Sequence, residues 1–392
     1  MKKILGVVLA SALVAGAFAQ VTTGVEFRTG VDVADWVFKK DTDPDAAYFT
    51  QDNLDDTHIG VTAAGKNAGV TAEVVFDLND HILSKLVPGA KDYVYLTAGD
   101  VYGWFNVGAF KFTAGKFASR STNAMGLRMR QSVGKIVSIS FVEAYKFGTA
   151  IKGNVGVDAN NMTHGTNLAA IGDYTFPIGD AKLLVKAAIF DSNPGFPHLA
   201  SGYAFEAAYQ SDLFTIIADV KVPKAYTAVT GVYFRMMPIS MLDFAVGGTL
   251  AIDNSGATDN TTIGIDARAR ILPLDALSFT VMGNYSLETR KQGDNKAYTD
   301  GKYIALNASY DLNDMFTLFG ELGYFDADTK KLADTSIEDS SVKFQVGTTI
   351  KPVENVTVSG AVQAAIPIYN DTPAKGTPVF GLAIPVAIKI AF

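Results

Sequence analysis

Residues 242–253 read LDFAVGGTLAID, and apolar residues alternate there with small or polar ones. Five large apolar side chains occupy every second position but one: Leu242, Phe244, Val246, Leu250 and Ile252. Asp243 and Asp253 fall on the opposite face, among small residues. Because successive side chains of a β-strand point to opposite faces, this stretch predicts a strand with one apolar and one polar face.

The same alternation recurs in segments of about ten residues, for example at 261–272, 277–288 and 341–351. A tilted strand needs about 9–11 residues to cross a bilayer, and a closed sheet leaves no backbone group unpaired in lipid. We therefore predict an all-β protein, a closed antiparallel transmembrane β-barrel of about 20 strands, with a range of 16–20. The alternation is poorest over 134–157, where a hairpin could belong to a loop.

Short and long connections alternate between the predicted strands. The short set lies at 65–68, 177–180, 238–240, 273–276, 313–314 and 353–355, and is rich in Pro, Gly, Asn and Asp. The longer set lies at 33–56, 80–92, 119–134, 158–167, 192–201, 253–260, 289–301, 327–340 and 367–377. This asymmetry is typical of outer-membrane barrels, so we predict short periplasmic turns and long extracellular loops.

A large soluble all-β protein is the alternative to a membrane barrel. Its polar strand faces would have to carry few ions, because ionised groups in a dry core are very unfavourable. The predicted inner faces instead carry many. We predict these pore-lining residues: Arg28, Lys152, Lys186, Asp219, Arg235, Asp266, Arg268, Arg270, Glu321, Lys343 and Lys389.

The N-terminus predicts export. Lys2 and Lys3 precede an apolar run at 4–15, and Ala17 and Ala19 supply the small residues of a cleavage site. We therefore predict a signal peptide at 1–19 and a mature barrel at 20–392, located in the outer membrane and surrounded by its lipid. Loss of the two lysines changes the net charge from −7 to −9.

Other classes of function lack support. No Lys/Arg cluster indicates nucleic acid, and the four histidines are dispersed without an HExxH motif. Asp41, Asp43 and Asp45 lack the glycine and final glutamate of a calcium loop. We predict no enzyme, no metal and no cofactor, although a hydrolase whose triad is assembled only in space is the open alternative.

The last strand has Ile388, Ile390 and the terminal Phe392 on one face. These residues resemble the C-terminal assembly signal of outer-membrane barrels, which implies recognition by the barrel-assembly machinery. Ala387 stands where that signal usually has glycine, and Pro385 is unusual there.

The chain as a whole resembles general bacterial porins, and spirochaete outer-sheath porins are a nearer group on its general appearance. Residues 110–117, ending near Gly115 and Lys116, look like the fifth strand of a porin. The resemblance implies that 119–134 folds into the pore and that the chain forms a homotrimer. The implied constriction residues are Arg120, Arg128, Arg130 and Lys135. The alternative is that these cations lie on an exposed loop.

The resemblance implies a passive diffusion channel for small hydrophilic solutes and ions. Two alternatives stay open: a surface adhesin or antigen displayed on a barrel, and a substrate-specific outer-membrane transporter. The acidic segment 33–56 and the slightly cationic wall favour opposite ion preferences. The sequence therefore assigns neither anion nor cation selectivity.

Overall fold

The computed structural model describes residues 20–51, 56–77, 95–117, 128–132, 135–138, 167–190, 202–222, 227–254, 256–330, 336–369 and 374–392. The regular secondary structure in these ranges consists of 21 β-strands, which confirms the all-β prediction. These ranges contain no helix long and apolar enough to cross a membrane. The predicted signal peptide, with Ala17 and Ala19, lies outside the described residues and stays a prediction.

The strands are β1 (Gln20–Lys39), β2 (Thr42–Gln51), β3 (Asp56–Ala64), β4 (Ala68–Asp77), β5 (Tyr95–Val107), β6 (Phe110–Phe117), β7 (Arg128–Ser132), β8 (Lys135–Ser138), β9 (Asn167–Ile178), β10 (Ala181–Phe190), β11 (Gly202–Gln210), β12 (Phe214–Val222), β13 (Thr227–Ile239), β14 (Leu242–Asp253), β15 (Asp259–Leu274), β16 (Leu277–Gln292), β17 (Asn295–Asp311), β18 (Phe316–Lys330), β19 (Ser336–Val353), β20 (Val356–Ile368) and β21 (Pro378–Ala391).

Antiparallel pairing closes the sheet into a barrel. From β3 onwards each strand of the ring pairs with the next, and β21 returns to β1 through a ladder from Glu26–Ala391 to Lys39–Pro378. β2 and β3 pair with successive parts of one edge of β1, so they form one interrupted strand. Of the 21 described strands, β7 and β8 make a separate sheet, and the other 19 form a ring of 18 when β2 and β3 are counted as one strand. This count falls within the predicted range.

One end of the barrel carries only short connections. They lie at 65–67, 108–109, 179–180, 211–213, 240–241, 275–276, 312–315 and 354–355. Gly108 and Gly179 adopt φ values of 61° and 58°, which suit tight turns because glycine has no Cβ. Gln20 and Phe392 lie at the same end, since β1 starts and β21 finishes there. The predicted set of short turns is confirmed, and we call this the short-turn end.

Two predicted long loops are wrong. Within 33–56, β1 continues to Lys39, turns at Lys40 and Asp41, and returns as β2. Within 289–301, β16 and β17 join through a two-residue turn at 293–294. Both hairpins lack the regular apolar alternation of strands such as 242–253. Backbone pairing does not require it where both faces of a hairpin meet water.

The weakest predicted region, 134–157, is described only in part, at 135–138. β6 pairs directly with β9, from Phe110–Tyr174 to Phe117–Asn167. The described part of this region is the separate β7–β8 hairpin, with Arg128 opposite Ser138 and Ser132 opposite Lys135. The hairpin of the stated alternative, over 134–157, lies mostly outside the described residues and stays a prediction.

The two faces of the sheet differ as the alternation predicts. Val346 and Val362 on neighbouring strands are 65% and 45% exposed, whereas Gln345 and Gln363, one residue away, are each 1% exposed. A closed ring has one convex and one concave face, so the exposed apolar residues cover the outside. Exposed aromatic residues, including Phe105, lie on this outer face, which matches the apolar surface of a lipid-embedded barrel.

Candidate pore lining and constriction

The inner wall of β13–β15 carries what we call the arginine group: Arg235, Asp243, Arg268 and Arg270. Arg235 donates Nε to Asp243 Oδ1 at 2.9 Å and Nη2 to Oδ2 at 3.0 Å, a bidentate contact. Arg268 donates Nη2 to the same Oδ2 at 2.7 Å. Arg270 lies directly opposite Asp243 in the β14–β15 ladder. Asp243 therefore holds two guanidinium groups close together on one wall.

A second feature, the amide ladder, crosses four strands from β17 to β20. Asn307 Nδ2 donates to Glu321 Oε1 at 2.9 Å, and Gln345 Nε2 donates to Glu321 Oε2 at 2.5 Å. Gln363 Nε2 donates in turn to Gln345 Oε1 at 2.9 Å. All four residues are buried and are direct register partners. The ladder satisfies both oxygens of a buried carboxylate with neutral donors, as buried polar groups require.

A third group lies on β10–β12. Lys186 Nζ is 3.3 Å from Glu206 Oε1, and Glu206 is fully buried. Asp219 lies directly opposite Glu206 and is also buried. A buried carboxylate is stable only with a close counter-charge or hydrogen bonds, so Lys186 offsets part of the cost of placing Glu206 there.

An ion pair also crosses the seam between the first and last strands of the ring. Lys389 Nζ on β21 lies 3.0 Å from Glu26 Oε2 on β1. On the next strands, His58 Nδ1 lies 3.1 Å from Glu73 Oε1. The inner wall therefore carries ionisable groups on both sides of the closure.

Lys343 on β19 is fully buried, and its Nζ lies 3.7 Å from the centre of the Phe325 ring. This is a cation–π contact, which stabilises an ammonium group away from water. The contact places a positive charge on the inner wall two residues from Gln345 of the amide ladder.

The β7–β8 hairpin lies against this part of the wall. Cα atoms of β7 come within 8 Å of Cα atoms of β19 and β20. β19 and β20 are neighbours in the ring, so the hairpin lies beside one part of the barrel. Arg128 and Arg130 are two positions apart on β7, and Lys135 begins β8. Arg120 lies outside the described residues.

The predicted pore-lining residues are distributed over these groups. Eight have described side chains on the inner face: Lys186, Asp219, Arg235, Arg268, Arg270, Glu321, Lys343 and Lys389. Arg28 and Asp266 lie on β1 and β15 with only their backbone described, and Lys152 lies outside the described residues. Their role in lining a solute path stays a prediction.

Sequence reasoning did not single out Asp243, Asn307, Gln345 or Gln363 as site residues. Asp243 was placed correctly on the polar face of 242–253, but its position between two arginines depends on strand pairing. The amides carry no charge and look like ordinary polar-face residues. A signal was nevertheless present, because each of these residues stands at the polar phase of its strand.

No protein-family model and no curated protein matches this sequence. Solved structures share its fold. The outer membrane protein OpdK of Pseudomonas aeruginosa aligns with a TM-score of 0.54 at 11% identity, covering 95% of this chain and 99% of that chain. OccAB3 of Acinetobacter baumannii aligns with a TM-score of 0.51 at 11% identity, covering 95% and 100%.

An anion-selective porin from Comamonas acidovorans also aligns, with a TM-score of 0.51 at 12% identity, covering 95% of this chain and 100% of that chain. At these identities the likeness establishes the fold. Together with the apolar outer face, the closed ring makes this chain a porin-like β-barrel of the outer membrane.

Proposed function

We propose that this porin-like barrel is a passive diffusion channel for small hydrophilic solutes and ions. The observation that carries the proposal is the inner wall of a closed ring whose ionic side chains reach open space. The side chains of Arg235 and Lys389 are 40% and 30% exposed although both belong to that wall. Charged groups facing a dry interior would be prohibitive, whereas groups that line a water path are stable.

The β7–β8 hairpin supports a constriction within this path. It comes close to β19 and β20, and its sequence holds the cations Arg128, Arg130 and Lys135 and no carboxylate. Charged side chains that line a narrow passage select among ions, so these residues are the proposed constriction. Arg120 belongs to the same proposal on its position in the sequence.

Stepwise conductance tests the channel proposal. Purified, refolded protein added to a planar bilayer should give discrete current steps, and the same protein after heat denaturation is the matched control. Liposomes that contain the barrel should swell in small sugars faster than in large ones, which measures the width of the passage. A silent membrane at high protein load, with folded barrel present, would contradict the proposal.

Surface display is the second candidate. The β1–β2 hairpin extends from the end opposite the short turns, and Asp41, Asp43 and Asp45 are exposed on it. An acidic, water-exposed hairpin suits recognition of a basic partner. Replacing residues 41–45 by a short Gly-Ser turn should abolish binding to host proteins if display is the function, and unchanged binding would contradict it.

The proposal assigns no enzymatic activity, metal or cofactor to the chain. Recognition by the barrel-assembly machinery and assembly into a homotrimer stay predictions, as does transport of one specific substrate.

A further inference from the structure

We infer that a notch in the lipid-facing surface of β14–β17 binds the methyl end of a lipid acyl chain. Its floor consists of Ala267, Ala269 and Gly283, and we call it the outer notch. It encloses about 390 Å³. An apolar cavity of about 150 Å³ is large enough to hold benzene, so the outer notch has room for a larger piece of hydrocarbon.

Strand register explains the floor of the outer notch. Ala267 on β15 pairs directly with Gly283 on β16, and Ala269 pairs with Val281. All four residues lie at the outer phase, because the intervening Met282 is buried on the inner face. Three of them carry a methyl group or no side chain, so the backbone of two neighbouring strands lies open toward the lipid there.

Larger side chains on the flanking strands form the walls. Phe244 and Val246 on β14 are the register partners of the two floor alanines. Ile304 on β17 is the register partner of the floor glycine. All three wall residues are exposed large hydrophobic residues. The side chains that face the outer notch are therefore apolar, and they suit a hydrocarbon ligand.

The outer notch lies at the middle of the apolar band. The outer apolar residues of β15 run from Ile263 to Ile271, and Ala267 is the central one. The hydrocarbon core of a bilayer is about 30 Å thick, so lipid headgroups lie roughly 15 Å from its centre. The part of a lipid that reaches this depth is the end of an acyl chain.

A second copy of this barrel fits the outer notch poorly. Close packing between proteins in a membrane needs small residues that let two backbones approach. Here the small floor is enclosed along β15 by the exposed side chains of Ile265 and Ile271, and across the strands by Val246 and Ile304. These side chains hold a second barrel wall away from the floor, whereas a single hydrocarbon chain is narrow enough to pass between them.

Fit, and not hydrophobicity, selects this ligand. Lipid tails are as apolar as the barrel surface, so the exclusion of water gives no preference among positions on that surface. A chain end in the outer notch gains dispersion contacts with the floor and the walls that a chain on a convex part of the surface lacks. Binding should therefore depend on the acyl chain and be independent of the headgroup.

Photocrosslinking from the chain end tests the site with the refolded full-length barrel. Vesicles of long-chain phosphatidylcholine carry a trace of the same lipid with a photoreactive group at the methyl end of one chain, and mass spectrometry locates the adducts. We expect the yield at Val281 and Ile304 to exceed that at Val346 about threefold, because each added dispersion contact is weak. Val346 is the reference because it is a highly exposed residue of the same outer surface.

The position of the photoreactive group and the headgroup are varied separately. A photoreactive group beside the headgroup should give no excess at Val281 and Ile304. Replacement of phosphatidylcholine by phosphatidylglycerol should leave the excess unchanged. An excess that required one headgroup would overturn the assignment to a chain end.

Ala267→Leu and Gly283→Leu each fill the floor, so each should lower the yield at Val281 and Ile304 to that at Val346. Ala218→Leu is the matched control, because Ala218 is an exposed alanine on the outer face of β12. It should leave the yield at Val281 and Ile304 unchanged. The folded band on unheated gels verifies that each variant is folded.

Equal yields at the outer notch and at Val346 in the wild type would overturn the site, as would an excess that both filling variants leave unchanged. A low lipid yield together with chemical crosslinks between barrels that the filling variants abolish would assign this face to a second copy and also overturn it. The channel proposal is independent, since a barrel without conductance would contradict the channel and leave the outer notch intact.

Discussion

Val25 and Phe392 exchange two backbone hydrogen bonds. Val25 N donates to Phe392 O at 2.9 Å, and Phe392 N donates to Val25 O at 2.8 Å. The last residue of the chain is therefore tied to the first strand, beside the ion pair of Glu26 and Lys389. This seam closes the ring and leaves neither β1 nor β21 with a free edge along their paired length.

Phe392 has two separable contributions: its backbone closes the seam, and its side chain ends the predicted assembly signal. Phe392→Ala keeps the backbone hydrogen bonds, whereas deletion of the residue removes them. We expect Phe392→Ala to refold in detergent like wild type and to insert poorly in cells, because the predicted assembly signal of Ile388, Ile390 and Phe392 would lose its aromatic end. Deletion should impair both processes. The folded band on unheated gels measures each, and Val353→Ala, at the same end of the barrel, is the control.

If wild type and Phe392→Ala inserted equally well in cells, the Phe392 side chain would not be part of the predicted assembly signal. The backbone closure would stand, because it is measured separately by refolding of the deletion variant.

Charge on the outer face should destabilise the barrel according to depth. Val346 is 65% exposed and lies seven positions before Val353, which ends β19 at the short-turn end and is 60% exposed. Val346→Arg should lower the free energy of unfolding by about 2–4 kcal/mol, since it places a cation in the hydrocarbon layer. Val353→Arg should lower it by roughly 0–1 kcal/mol. Urea unfolding in lipid vesicles measures both, and equal values would contradict a lipid-facing surface at Val346.

The amide ladder should stabilise the fold. Gln345→Leu removes a donor to Glu321 and an acceptor from Gln363, both of them buried. We expect a loss of about 1–3 kcal/mol in the free energy of unfolding, because a buried carboxylate loses one of its hydrogen bonds. Gln292→Leu, at the exposed end of β16, is the control and should have little effect. A ladder variant as stable as that control would show that the ladder is not needed for folding.

The hairpin cations should affect ion selectivity. Arg128→Ala combined with Arg130→Ala should change the conductance and shift the reversal potential toward cations, because positive charge is removed from the proposed constriction. Arg290→Ala removes the same charge at the opposite end from the short turns and should leave both values unaltered. If the double variant also left both values unaltered, the two arginines would not belong to the constriction.

Part of the fold could be predicted because strand alternation is a local property. The polar phase of 242–253 already placed Asp243 on the inner face, and the short turns marked one end of the barrel. The long hairpins at 33–56 and 289–301 escaped prediction because strands that extend into water need no apolar phase. The strand count fell to 18 because direct pairing of β6 with β9 excludes the segment between them.

The sequence by itself determined which face of each strand meets lipid, since a period of two fixes every second side chain on the same side. Only the tertiary structure decided which polar residues meet: Arg235 and Arg268 on Asp243, and Asn307 and Gln345 on Glu321. The physical reason is register. Alternation assigns a residue to a face of the sheet. Its neighbours on the adjacent strands depend on the register in which those strands pair. A register shift of two residues changes these neighbours and leaves the alternation unchanged.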